Sequence, residues 1–406
     1  MENTRAWLQS IRDEIEPSMT ELDAELVGVA AHLHAHPETR FEEVEASRLL
    51  TERLREHGFE VKRGFAGLDT AFVGRWESSP GTDAPTIAIF CEYDALEGIG
   101  HGCGHNIIAA CGLGAAIIAK TWLSQHPETP GRLVVVGSPG EEGGAGKVPM
   151  IEAGVLDGVD AAMMIHPLFC DLVDMRSLGR SALDISFDGR ASHASGSPHD
   201  GINALDAATL TLTAIGLLRQ QMRSDARVHG IISDGGQAPN IIPEHTALRV
   251  FVRTPGSQED LRSLTERVSN CARGAALATG CTVRIDEETP AYLPMRQNRA
   301  LGEVAWHAFE TIGRTPIEPY AGMGAGSTDM GNVSLRVPSI HPVIRLGDGL
   351  NMHTREFSEA AGGPEAAGTV RDGARILGLT AIRAFADPAL LTQAREEFQR
   401  TPATRS

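Results

Sequence analysis

The chain has no run of eighteen apolar residues; the nearest, Ile107 to Ala119, is too short to cross a bilayer, so a membrane-spanning role is not expected. Its first residues, MENTRAWLQSIRDEIEPSM, lack the apolar stretch of a secretory signal. There is no basic stripe to set against a formal net charge of −17, and a surface of that sign repels a phosphate backbone, which argues against nucleic acid as a partner. Cysteines 91, 103, 111, 170, 271 and 281 show neither a paired framework nor Cys-x-x-Cys spacing. That disfavours a disulfide scaffold and a dithiol redox motif, and makes most of them small buried hydrophobes in a reducing compartment. Low-complexity linkers and solenoid repeats are missing too. What remains is a globular cytoplasmic protein, and 406 residues are too many for one ordinary core, so two domains are expected.

Short apolar runs of strand type recur at TIAIFCE (86–92), RLVVVGSPGEE (132–142), DAAMMIHP (160–167) and PSIHPVIR (338–345). Between them lie helical stretches, including 43–57, 107–123 and 371–385. Strands apolar on both faces and separated by helices predict an α/β domain with a central parallel or mixed sheet flanked by helices. The stretch 107–123 is apolar nearly all round and is expected to be buried. The middle of the chain changes character. SALDISFDG leads into a helix over 203–222, then come RVHGIISDG, HTALRVFVR, a helix over 258–278 and CTVRIDEE. That is β-α-β-β-α-β, the ferredoxin-like order. We expect a catalytic domain made of 1–178 and 295–406, with an inserted α+β lid or dimerisation domain over 179–294.

Groups able to hold a metal fall where the strands end. Asp94 follows the first run, Glu141 and Glu142 follow the second, and His166 closes the third. Cys103 and His105 sit in the glycine-rich EYDALEGIGHGCGHN, and His353 lies in a loop after the last run. In open α/β sheets ligands bind beyond the carboxyl ends of the strands, so these groups should converge. Cys103 and His105, two apart in an extended loop, point to the same side. A thiolate, imidazoles and a carboxylate together suit zinc or manganese, and such an ion lowers the pKa of water from about 15.7 toward about 7. Of the adjacent glutamates, one would hold metal and the other move protons. His32, His34 and His36 read as packing or surface groups, and His101 and Glu92 as loop or supporting groups.

Taken together, CEYDALEGIGHGCGHN, GSPGEEGGAGK, AMMIHP, ASHAS, GGQAPNIIPE, GSTDMGNVS and NMHTREFSEAAG resemble the amidohydrolase branch of the aminoacylase and carboxypeptidase G metallopeptidases. The likeness runs from HAHPETRFEE to residue 363, and GSTDMGNVS points to the group that holds aminobenzoyl-glutamate hydrolase and a β-alanyl-lysine dipeptidase. The resemblance implies a hydrolase of N-acyl or aminoacyl amino acids with two divalent ions in each protomer, zinc or manganese. It assigns Cys103, His105, Glu142, His166 and His353 as metal ligands, with Cys103 bridging. Glu141 becomes the general base and acid, and Asp94 supports the site. His193 would reach across a homodimer, formed through the inserted domain, to stabilise the oxyanion. Asn240 would contact the substrate near its carboxylate, and the loop 324–329, with Gly326, Ser327 and Thr328, would line the pocket. Two departures stand out. Most of the wider family has His-x-Asp where this chain has Glu92-Tyr93-Asp94, and Glu97 stands where close relatives carry proline, which adds negative charge suited to cationic substrates. A non-catalytic binding member of the fold would be marked by a lost ligand or base, and none is lost.

Overall fold

The computed structural model describes residues 2–79, 81, 83–320, 323 and 326–400. The chain forms two compact units: one of Met1–Met175, Met295–Ala325 and Asp329–Pro402, the other of Arg176–Pro294 with Gly326–Thr328. The first unit opens with α1 (Glu2–Ile15), α2 (Met19–Ala35), α3 (Val44–Glu56), β1 (Glu60–Arg63), β2 (Phe72–Glu77) and β3 (Thr86–Glu92). It continues through α4 (His105–Gln125), β4 (Arg132–Ser138), α5 (Glu141–Gly144), α6 (Lys147–Glu152), β5 (Ala161–Met163) and β6 (His166–Leu168). The second unit follows with β7 (Gly179–Asp188), α7 (Ala204–Leu218), β8 (Arg227–Asp234), β9 (His245–Thr254), α8 (Gln258–Thr279) and β10 (Thr282–Glu287). The chain then returns to the first through α9 (Arg299–Thr311), α10 (Met330–Ser334), β11 (Ser339–Ile340), β12 (Val343–Arg345), α11 (Arg355–Ala361), α12 (Pro364–Ala386) and α13 (Pro388–Arg400).

In the first unit a six-stranded mixed sheet runs β1-β2-β4-β3-β5-β11. Its centre is parallel (β3 with β4 and β5, β5 with β11), while β1 and β2 are antiparallel additions at one edge. Every residue of β3 is buried because successive side chains feed opposite cores. Ile87, Ile89 and Cys91 join the core built on α4, α12 and α2, whereas Ala88 and Phe90 join the one that holds Met150 and Val333. The helix expected at 107–123 is α4, and it begins two residues earlier, at His105. It is long and apolar enough to cross a membrane, yet 83% of its most apolar window is buried inside the unit. Gly112 and Gly114 let its neighbours close in: a Cβ at Gly114 would stand 2.4 Å from Leu26 Cδ1 and 2.7 Å from Ala374 Cβ.

Two of the expected strands break in the middle. DAAMMIHP divides into β5 and β6, and PSIHPVIR into β11 and β12. The second halves pair with each other in a separate two-stranded sheet. Pro342 has no N–H with which to extend a ladder, so the chain turns at His341-Pro342. His166 therefore opens a strand instead of closing one.

The second unit has the element order β-α-β-β-α-β and an antiparallel sheet β10-β7-β9-β8. Leu183, Ile185, Phe187, Leu248 and Val250 on its strands share one core with Ala207, Ile215, Leu264 and Val268 on α7 and α8. At its edge β8 leaves Ile231 and Ile232 exposed, and α7 leaves Leu217 exposed.

Candidate metal centre

The loop that carries Cys103 and His105 leaves β3 and enters α4 through Gly104, whose φ of +76° sits at the helix N-cap. A Cβ there would stand 2.5 Å from Pro167 Cγ, so both the backbone twist and the space call for glycine. The turn carrying the paired glutamates follows β4 and begins at Gly140, again left-handed at φ +67°. Phe41 covers this turn: a Cβ at Gly140 or Gly144 would meet its ring within 2.7 Å. Glu43, fully buried, accepts hydrogen bonds from the backbone N–H of Phe41 (2.8 Å) and of Gly140 (2.9 Å), and from Thr70 Oγ1 (2.8 Å). Burial and then the charge of Asp94 push its carboxyl up to about 7.

Of the predicted residues, Cys103, His105, His166, Glu142, His353, Glu141 and Asp94 come together at the ends of β3 and β4 and the start of β6. Three sets of potential ligand atoms lie within 4.8 Å of one another: Cys103, His105 and His166; Cys103, Glu142 and His353; and Glu92, His105 and Glu141. Cys103 belongs to the first two, which is where a bridging thiolate would stand. Its Sγ lies 3.5 Å from His166 Nε2, and Glu142 Oε1 lies 3.1 Å from His353 Nε2. Donors about 2.0–2.3 Å from one tetrahedral ion stand roughly 3.3–3.6 Å apart, so the Cys103–His166 spacing suits a shared metal, and Glu142 and His353 would part by a few tenths of an ångström to share one. His353 has φ +64°, uncommon for a residue with a Cβ, and its N–H is tied to Gly102 O at 2.8 Å.

The histidine tautomers are set by their other nitrogens. His166 Nδ1–H donates to Pro167 O (2.7 Å) and His105 Nδ1–H to Asp94 Oδ1 (2.9 Å), so each Nε2 faces the cluster, where a metal ion would take the place of any proton on it. His105 Nε2 is buried without a hydrogen-bond partner, an arrangement that a metal ion would satisfy. Asp94 also accepts Glu142 N–H at 2.8 Å, so a single carboxylate orients one ligand from the β3 loop and one from the β4 turn. Burial opposes charging His105, but Asp94 and Cys103 outweigh it and hold its pKa well above the usual range. His166, buried and beside His105, is pushed down to about 4. Burial, then Glu92 and Glu142, push Glu141 well above the carboxylate range, which is where cations alongside would draw it back down.

The remaining predicted residues belong to the second unit. His193 is exposed, and its Nδ1 accepts backbone N–H groups of Gly196 (3.0 Å) and Ser195 (3.3 Å), so the neutral ring carries its proton on the outward Nε2. Asn240, also exposed, lies beside it: Ala194 N–H donates to Asn240 O at 3.0 Å, and His193 bridges Ile241. Ser327 Oγ accepts from Arg253 Nη1 at 3.1 Å, and Gly326 O from Leu178 N–H at 2.8 Å; Gly324 and Ala325 lie outside the described residues. Glu97 is exposed in its loop. His32, His34 and His36 hydrogen-bond to Glu45, Ser358 O and His32 O, away from the centre.

Sequence reasoning passed over several groups. Lys147, fully buried, puts its ammonium on Glu92 and Asp329. Arg180 and Arg253 carry buried Nε atoms with no partner, and Arg180 stacks on Tyr292 at 4.1 Å and Phe251 at 4.8 Å. His341 is buried, 5.9 Å from the His166 ring. Their importance lies in long-range partners; only the KVPM after GEEGGAG, a lysine just past the paired acids, hinted at one of them.

Histidines oriented by their second nitrogens, a thiol common to two ligand sets and a buried carboxylate beside them make a centre suited to metal ions that activate water, the arrangement of a metal-dependent hydrolase. Residues 88–366 match Peptidase family M20/M25/M40, and the chain belongs to that family. It is 36% identical to the human Xaa-Arg dipeptidase over 98% of this chain and 94% of that protein. It is 32% identical to one of the component chains of the Escherichia coli p-aminobenzoyl-glutamate hydrolase, over 93% of this chain and 92% of that one. Among solved structures, a dinuclear metal binding peptidase of the M20 family from Bacillus subtilis shares the fold, with a TM-score of 0.63 and 22% identity over 89% of this chain and 99% of that one. The protein is thus a hydrolase that acts on amino-acid conjugates.

Proposed function

We propose that the chain cleaves dipeptides or related conjugates at the amide bond of a basic amino acid, with two divalent ions, zinc or manganese, in the Cys103 centre. The observation that carries the two-ion reading is Cys103 common to two ligand sets, with Glu141 beside them. Such ions polarise a carbonyl and ease the deprotonation of water. Glu141 takes a proton from the attacking water and passes it to the leaving nitrogen as the C–N bond breaks. Asp94 keeps His105 and Glu142 in register for their ligand roles. Asn240 contacts the free carboxylate of the substrate. His193, with an outward Nε2–H, is the donor for the oxyanion.

Preference for a basic residue is supported by the likeness to the Xaa-Arg dipeptidase, by the net charge of −17 and by the exposed Glu97. The likeness to the p-aminobenzoyl-glutamate hydrolase chain favours a second reading, an aryl-amide of glutamate. We place the protein in a reducing cytoplasm, where its cysteines stay free as they are here, and as a homodimer formed by the second unit. The test is release of free amino acid from Xaa-Arg and Xaa-Lys dipeptides, aminobenzoyl-glutamate and N-acetyl amino acids, with zinc or manganese and with chelator. Basic dipeptides should be cleaved best, and Glu141→Gln should lower turnover at least about 1,000-fold with metal content unchanged. Fast cleavage by Glu141→Gln would remove it as the proton carrier, and cleavage confined to aminobenzoyl-glutamate would select the second reading.

A further inference from the structure

Glu92 ends β3 with its carboxylate buried, and its two oxygens have different surroundings. One meets the ammonium of Lys147, which also bonds Asp329. The other, Oε2, stands 3.6 Å from His105 Nε2. That separation is beyond a good hydrogen bond, and His105 has already spent its Nδ1 proton on Asp94. Glu92 Oε2 and His105 Nε2 therefore face each other inside the protein without a hydrogen bond between them, and the nitrogen is buried with no hydrogen-bond partner. Glu141 Oε2 completes the triangle at 4.0 Å from the same nitrogen.

Charge points the same way. Lys147 is one ammonium shared by two buried carboxylates, so it cannot balance both of them when both are charged, and a cation in front of Glu92 would supply the missing positive charge. Of the chain's lysines, Lys62, Lys120 and Lys147, only the last is buried. A compact ammonium occupies one oxygen of Glu92 without filling the space in front of the other, as a guanidinium would.

We infer that Glu92, anchored on one oxygen by Lys147, is a direct metal contact through the other, and that it draws the ion at His105 to the side where Glu141 stands. The inference rests on the two-ion reading of the centre and adds a carboxylate to it. Glu92 is then what sets that ion beside the proton carrier, while Lys147 and Asp329 position Glu92.

The test is titration of the metal-free protein with cobalt(II), read by its visible absorption bands and by bound metal. It uses wild type, Glu92→Gln and Glu92→His, each checked for folding by circular dichroism. Glu92→Gln should bind one of the two ions at least about ten-fold more weakly and shift the bands. Glu92→His supplies a metal donor but no charge for Lys147, and should bind that ion more tightly than Glu92→Gln does. Should Glu92→Gln fail to fold, Glu92→Asp keeps the ion pair while withdrawing the oxygen from His105, and should show the same weakening. Wild-type affinity and spectrum in Glu92→Gln, or in a folded Glu92→Asp when Glu92→Gln does not fold, would overturn the inference. So would an equal loss in Glu92→Gln and Glu92→His, the mark of a purely structural ion pair. Failure of the wild type to take up cobalt would instead sink the metal-centre reading itself.

Discussion

At the scale of single residues, what the sequence made visible was local chemistry. Cys103, His105, Glu141 and Glu142 stand in short glycine-rich stretches, where ligand-type residues have no packing reason to gather. Glu43 was invisible as a functional group because its partners, Gly140 and Thr70, are 97 and 27 residues away. Its role yields a prediction with a definite sign. The folded-state pKa of about 7 lies above the ordinary 4.5, so the folded chain holds this proton more tightly. The stability it contributes is full below about pH 4.5 and is lost as pH rises through 7. Glu43→Gln keeps an acceptor for Phe41 and Gly140 and never ionises. It should match wild type near pH 5 and exceed it at pH 8 by at most about 3 kcal/mol in urea unfolding. A glutamine variant less stable than wild type at pH 8 would show that the ionised carboxylate is the better clasp for the turn.

At the scale of elements, the apolar periodicity located α4, α7, α8 and α12, and the starts of α7 and α8 to within a residue, but not where α4 and α12 begin. His105 starts α4 because Gly104 takes the left-handed conformation under Pro167, a fact about the distant β6. The break of DAAMMIHP into β5 and β6 was hidden for a similar reason, since it depends on how Pro342 interrupts the neighbouring strand. Helical glycines show how far context overrides propensity. Gly274 on α8 faces open space, and Ala there should stabilise the chain by about 0.5–1 kcal/mol. Gly114 on α4 would press its new methyl against Ala374 Cβ, which its backbone holds in place. Ala at 114 should instead cost about 1–3 kcal/mol, because overpacking outweighs the propensity gain. Chemical denaturation of the two variants measures both, and equal signs would refute the packing argument.

At the scale of the whole molecule, composition and strand pattern were enough to anticipate an α/β architecture, while the exposed apolar residues at the edge of the second unit were not legible. The exposed edge of β8, with Ile231 at 63% exposure, is the face we assign to the proposed homodimer. Ile231→Lys should convert the dimer to monomer in light scattering coupled to gel filtration. A wild type that is monomeric, or a variant that stays dimeric, would rule out this face.

Cys103 and Met352, in contact at the centre, are 249 residues apart, and the entire second unit is strung between them. Ions held jointly by Cys103 and the neighbouring His353 would therefore act as a cross-link that closes a very large loop, much as a long-range disulfide does, and would restrict the unfolded chain as well as arm the enzyme. Loading would then also serve as assembly control, because a chain that has not brought these distant segments together cannot retain its ions.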